Sequence, residues 1–172
     1  MKTVFTTDSL ALALILAVPQ ISAADFVSTP EKQDVIEQVE ALEKEIADMS
    51  RELWDYSEIA LRETQSAEFL AGILESEGFT VVRGVADMPT AFVAEWGTGH
   101  PVIGILAEYD ALPNIGNDPV PEQQLRSDGH PHGQGCGHNL FGAGSVGAAI
   151  ALKRTMDANS IKRSEEHTSE RV

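Results

Sequence analysis

The sequence predicts an α/β domain with a mixed central sheet flanked by helices. Three features predict it. An apolar stripe with alternating four- and three-residue spacings runs through residues 35–53, short runs of β-branched and aromatic residues follow Gly78, and a strand–loop–helix closes the pattern. With 172 residues the chain is long enough for one domain with its own core.

The elements follow in order. Residues 1–23 read as an export leader: Lys2 gives a positive start, Leu10 to Val18 is an unbroken apolar run, and Ile21-Ser22-Ala23 ends on a small residue. That run is too short to span a bilayer as a permanent helix. The mature chain is therefore expected outside the cytoplasm, periplasmic or extracellular. The lone cysteine, Cys136, cannot form an internal disulfide there, which leaves metal binding or burial as its reason.

Thr29-Pro30-Glu31 has the makings of a helix start: a capping hydroxyl, a proline in the first turn and an acid that suits the dipole. Val35, Val39, Leu42, Ile46, Met49 and Leu53 then predict one helix packed on the core. Ser66 is expected to cap a second helix carrying Phe69, Leu70, Ile73 and Leu74, ended by Gly78. Strands are predicted over 79–85, 91–96 and 102–106, with turns at Met88-Pro89 and Gly97-Thr98-Gly99. The third strand is the most apolar and lacks polar alternation, so it is expected at the centre of the sheet. A long polar loop, 114–132, joins it to a glycine-rich helix start and has the length of a functional segment.

Two segments carry chemistry. Glu108 and Asp110 leave the apolar strand on one face, where open α/β sheets bind ligands. Cys136-Gly137-His138 then offers a thiolate and an imidazole, good ligands for zinc-like ions, beside a helix N-terminus that favours the thiolate. In an extended segment the two side chains would point the same way and share an ion. The competing reading, Cys136 as a nucleophile with His138 as its base, calls for an orienting third group. His130 and His132 are further possible ligands in the polar loop.

Taken in order, Glu-Tyr-Asp-Ala-Leu-Pro at 108–113 and Gly-Cys-Gly-His-Asn-Leu-Phe-Gly at 135–142 resemble the aminoacylase-like metallopeptidase family. Within it, the similarity is to the branch of amidohydrolases that includes aminobenzoyl-glutamate hydrolase subunits. The resemblance implies a zinc-peptidase-like catalytic domain of which 24–162 is an incomplete, N-terminal part. It implies Cys136 and His138 as metal ligands and Asp110 as the catalytic acid that positions the metal centre and its water, with the role of Glu108 open. Two divalent ions, zinc or manganese, would serve the intact site. The general-base glutamate pair and later histidines of the family are not in this chain, so the fragment alone is expected to be inactive. Gln134 stands where the family often has a histidine, and Asn139 where the acyl-amino-acid branch has an aspartate.

The implied partner is a small amide substrate with a free carboxylate, and the intact parent would be a homodimer or hetero-oligomer. Twelve basic against 27 acidic residues, a net charge of −15, argue against nucleic acid or an anionic membrane surface as partner. A non-catalytic exported binding or assembly module on the same fold is the alternative. Residues 163–172 are expected to be a non-native tail without regular structure: Arg163 to Glu170 resembles the translation of a sequencing-adapter oligonucleotide.

Overall fold

The computed structural model describes residues 29–160 and the main chain of 164–169. The leader expected over 1–23 lies outside the described residues, and no described helix is long and apolar enough to cross a membrane. Among the described residues, four α-helices pack with a four-stranded mixed sheet.

The first helix, α1 (Pro30–Ala41), starts where the sequence places it, and the Thr29 hydroxyl accepts the Lys32 N–H at 3.4 Å. It does not run on as one helix to Leu53. The chain tightens at Leu42, whose N–H is shared between the Gln38 and Val39 carbonyls, and restarts as α2 (Glu43–Tyr56). The break turns the fully buried Leu42 inward, and from there the stripe is core: Met49 and Leu53 are buried, Ile46 partly so. Ile36 and Val39, ahead of the break, stay 48% and 40% exposed.

The third helix, α3 (Thr64–Ser76), begins two residues before the expected Ser66 cap. Glu58, from the preceding loop, caps it instead. Its carboxylate accepts the Gln65 and Ser66 N–H groups at 3.0 and 2.9 Å, and the Ser66 hydroxyl at 2.9 Å. At the other end Gly78, at φ +90°, completes a Schellman closure with Phe79 N–H on Leu74 C=O and Gly78 N–H on Glu75 C=O.

The sheet order is β1 (Thr80–Arg83), β2 (Phe92–Gly97), β4 (Ser164–Ser169), β3 (Val102–Ala107). The β1–β2 and β2–β4 pairs are antiparallel and the β3–β4 pair is parallel. Two expectations are corrected here. β3 is an edge strand of the described sheet, not its centre, and its residues alternate: Val102 and Leu106 are 48% and 42% exposed, while Ala107 is buried. Apolar composition alone does not locate a strand, because only one face of this one is covered among the described residues.

Residues 164–169, expected to carry no regular structure, form β4 in the slot between β2 and β3. Glu165, Glu166 and His167 lie within that strand. Facing edges of two strands offer rows of main-chain donors and acceptors, and such a slot reads backbone rather than side chains.

The fourth helix, α4 (His138–Ala158), packs on α1, α2 and β3. Its small residues let it approach closely. A Cβ at Gly147 would fall 2.5 Å from Ile46 Cδ1, and Ser145 donates its hydroxyl to the Leu106 carbonyl at 2.7 Å.

The polar loop between β3 and α4 is tied down by Arg126, only 6% exposed. Its guanidinium donates to the Trp54 carbonyl at 2.8 Å, the Ser57 hydroxyl at 3.1 Å and the Asp55 carbonyl at 3.3 Å, and lies 4.0 Å over the Trp54 ring. A cation thus sits on the last carbonyls of α2, at the C-terminus where the dipole favours it. Asp128 completes the anchor at 2.5 Å.

Two outcomes follow. Arg126→Met should destabilise the chain by about 2–3 kcal/mol in urea unfolding, the range for charge-assisted hydrogen bonds lost from a buried site. The Arg126 hydrogen bond, and next the His130 N–H, hold the Asp128 carboxyl down at about 2. Because that value is depressed in the folded state, its stabilisation is fully present above the unfolded value near pH ~3.9 and is lost as pH falls through about 2. Asp128→Asn should therefore flatten the acid limb of the stability–pH curve in that window.

Deleting 163–172 should lower the melting temperature, because it leaves the facing edges of β2 and β3 unpaired. Unchanged melting would mean that the β4 pairing contributes nothing.

Candidate metal centre

The site forms where the segment leaving β3 meets the first turn of α4. Glu108 and Asp110 follow the last strand residue, Ala107, and both reach the His138 ring. Asp110 Oδ1 lies 2.5 Å from His138 Nδ1, and Glu108 Oε2 lies 3.1 Å from His138 Nε2. One imidazole is therefore held between two carboxylates, one at each nitrogen. The three offer ligand atoms within 4.8 Å of one another. Their side chains are 19–23% exposed, shielded enough to strengthen electrostatics yet open to a solute.

Several contacts fix this meeting. A Cβ at Gly142 would stand 2.9 Å from the Glu108 carbonyl oxygen and 3.3 Å from Tyr109 Cβ, so the helix comes this close only with glycine there. Gln134 bridges the two segments: its carbonyl accepts the Asn139 N–H at 3.1 Å and its amide donates to the Tyr109 carbonyl at 3.5 Å. Asn139 ties the same turn to α2, donating to the Ser50 carbonyl at 3.2 Å and hydroxyl at 3.0 Å. Downstream of the acids, the Ala111 N–H bonds to the Glu58 carbonyl at 2.7 Å. Glu58 thus serves α3 with its side chain and the acid segment with its backbone.

Of the expected site residues, Asp110 and His138 come together, and Glu108, left without a role by the sequence, joins them. Cys136 is exposed and outside this group. The segment is not extended as expected. The Gly137 N–H bonds back to the Gln134 carbonyl at 3.0 Å, and Gly137 itself is left-handed at φ +79°. The period-two argument for Cys136 and His138 therefore does not apply across this turn. His130 and His132 also lie outside the group. Their rings meet edge to face at 5.5 Å, and His132 Nδ1 accepts the Asn114 N–H at 3.3 Å.

The sequence missed Gln134, Asn139 and Gly142 as determinants of the site geometry. Their signal was present, since all three lie within four residues of His138, but their partners Tyr109, Ser50 and Glu108 lie 25 to 89 residues away and are chosen by the fold. An imidazole with two carboxylates is a donor set that suits divalent cations such as zinc or manganese.

No family model matches the chain. Over 119 residues, 69% of its length, it is 42% identical to one of the subunits of the p-aminobenzoyl-glutamate hydrolase of Escherichia coli, and it covers 25% of that protein. It is 27% identical over 140 residues to the N-acetyl-L-cysteine deacetylase of Bacillus subtilis, covering 32% of that protein. A solved structure from Bacillus subtilis, described as a dinuclear metal-binding peptidase of the M20 family, superimposes on 76% of the chain and 35% of its own, with a TM-score of 0.61 at 23% identity. The fold is thus that of M20 peptidase domains, and the chain spans about a quarter of the curated relative to which it is 42% identical. The chain belongs to the aminoacylase-like metallopeptidase and amidohydrolase family and is a relative of its aminobenzoyl-glutamate hydrolase branch.

Proposed function

We propose that the chain is part of a metal-dependent amidohydrolase that cleaves the amide bond of N-acyl or aminobenzoyl amino acids, next to a free carboxylate. The observation that carries this reading is the imidazole of His138 held between Asp110 and Glu108, on the two segments that carry the family motifs. The relatives named for p-aminobenzoyl-glutamate hydrolysis and N-acetyl-L-cysteine deacetylation support the substrate class.

His138 with Glu108, joined by Cys136 on the family resemblance, would hold divalent ions, two in the intact site and zinc or manganese by donor type. Bound there, such ions polarise a carbonyl and make water acidic enough to attack it. The remaining work falls to the chain. Asp110 accepts the Nδ1–H of His138 and so orients the ring, which leaves Nε2, on the Glu108 side, as the nitrogen that would take an ion in place of a proton. Glu108 supplies negative charge at that nitrogen, and the anchored 114–132 loop fixes the span between the acids and the histidine.

The same reading takes 1–23 as an export leader, placing the protein in the periplasm or outside the cell. It takes 163–172 as a non-native tail, on its likeness to an adapter translation, and the intact parent as a homodimer or hetero-oligomer.

The test joins residues 24–160 to the remainder of a full-length relative and follows metal content and hydrolysis of an aminobenzoyl-glutamate substrate. His138→Ala and Cys136→Ala should each abolish hydrolysis and lower metal content together. Asp110→Asn should cut turnover by about 10–100-fold while much of the metal stays bound, since its role is orientation. Full metal content and activity in His138→Ala would refute the site. The same result in Cys136→Ala would remove Cys136 from the ligand set.

A further inference from the structure

Behind the carboxylate pair runs a buried polar chain that metal ligation does not use. Glu63, at the N-cap of α3, is 0% exposed. The Leu61 N–H donates to its Oε1 at 2.7 Å, and the Thr90 hydroxyl donates to its Oε2 at 2.6 Å. Thr90, 5% exposed, accepts the Tyr109 hydroxyl at its carbonyl. Tyr109 is fully buried, stacks on Phe92 with centroids 6.2 Å apart, and stands in the chain between Glu108 and Asp110.

A buried carboxyl group is costly even when hydrogen-bonded, so its presence calls for a reason. Capping α3 is not that reason. The helix takes no capping bond from the Glu63 side chain, and Glu58 already accepts the Gln65 and Ser66 N–H groups. What the Glu63 carboxyl does is fix Thr90, and Thr90 fixes the one residue whose neighbours on both sides are the site acids. With the Tyr109 ring locked inward, Glu108 and Asp110 are left to meet the His138 ring.

We propose that Glu63 is a positioning residue, which through Thr90 and Tyr109 sets the two carboxylates on His138. Its consequence for ion binding rests on the metal reading above, whereas its effect on the imidazole does not.

The experiment uses the full 172-residue chain, free of metal, with ¹⁵N-labelled histidine. In the wild type, the His138 Nδ1 proton, held by Asp110, should exchange slowly. Glu63→Gln, Thr90→Val and Tyr109→Phe should each lose that slow proton, while Thr90→Ser, which keeps the hydroxyl, should keep the wild-type pattern. Should Glu63→Gln not fold, Tyr109→Phe decides, since it removes one hydroxyl and keeps the ring. A wild-type imidazole pattern in Tyr109→Phe together with a lowered melting temperature would reduce the chain to a structural role and overturn the proposal. Titration with Co²⁺ alone separates the two readings. The disrupting variants should bind it about tenfold more weakly than the wild type. A wild type that binds no Co²⁺ would refute the metal centre, with the imidazole pattern still deciding the role of Glu63.

Discussion

The close approach of α4 to the segment leaving β3 is the constraint on which the site depends. Backbone meets backbone there, because Gly142 offers no side chain to hold the Glu108 carbonyl away. Only at that separation can one imidazole, on the first residue of the helix, touch carboxylates two residues apart on the facing segment. The polar residues of the turn then hold the distance. Gln134 joins the two segments, Asn139 joins the helix to α2, and Ser145 joins it to the end of β3. Each of these bonds is shielded from water, where a hydrogen bond is stronger and its loss more costly.

The rest of the molecule fixes the two sides of that meeting. On one side, the core of α2, α3 and α4 sets the helix. On the other, the loop from β3 must return to α4 across 114–132 without disturbing either end. Arg126 solves this by docking on the C-terminus of α2, where Trp54, Asp55 and Ser57 present acceptors and the Trp54 ring presents a face. A charged side chain is thus used as a structural rivet, and the loop's polarity reflects internal bonding as well as exposure.

Local signals were legible in the sequence. The Thr29-Pro30 start of α1, the Gly78 stop of α3 and the three strands after it follow from capping chemistry, glycine's tolerance of positive φ and β-branched runs. Asp110 and His138 were legible because each stands in a dense motif at the end of an element. What failed depends on distant partners. The break at Leu42 and the exposure of Ile36 and Val39 are decided by how much of a stripe the core can cover. The edge position of β3 and the pairing of 164–169 are decided by sheet order, which residue pattern does not encode. Cys136 stands outside the group of Glu108, Asp110 and His138, and the left-handed Gly137 turns the chain between it and His138. Glu58, rather than Ser66, caps α3 from across a loop, a choice that no spacing rule contains.

The central claim is that Glu108, Asp110 and His138 form a cation site rather than a structural ion-pair cluster. Anomalous scattering from crystals of the chain grown with zinc or manganese tests it most directly. A cation site predicts a peak bonded to His138 Nε2 with a Glu108 oxygen in its shell, while Asp110 stays on Nδ1. Crystals that show metal elsewhere, or a His138 ring still paired to both carboxylates with no metal beside it, would contradict it.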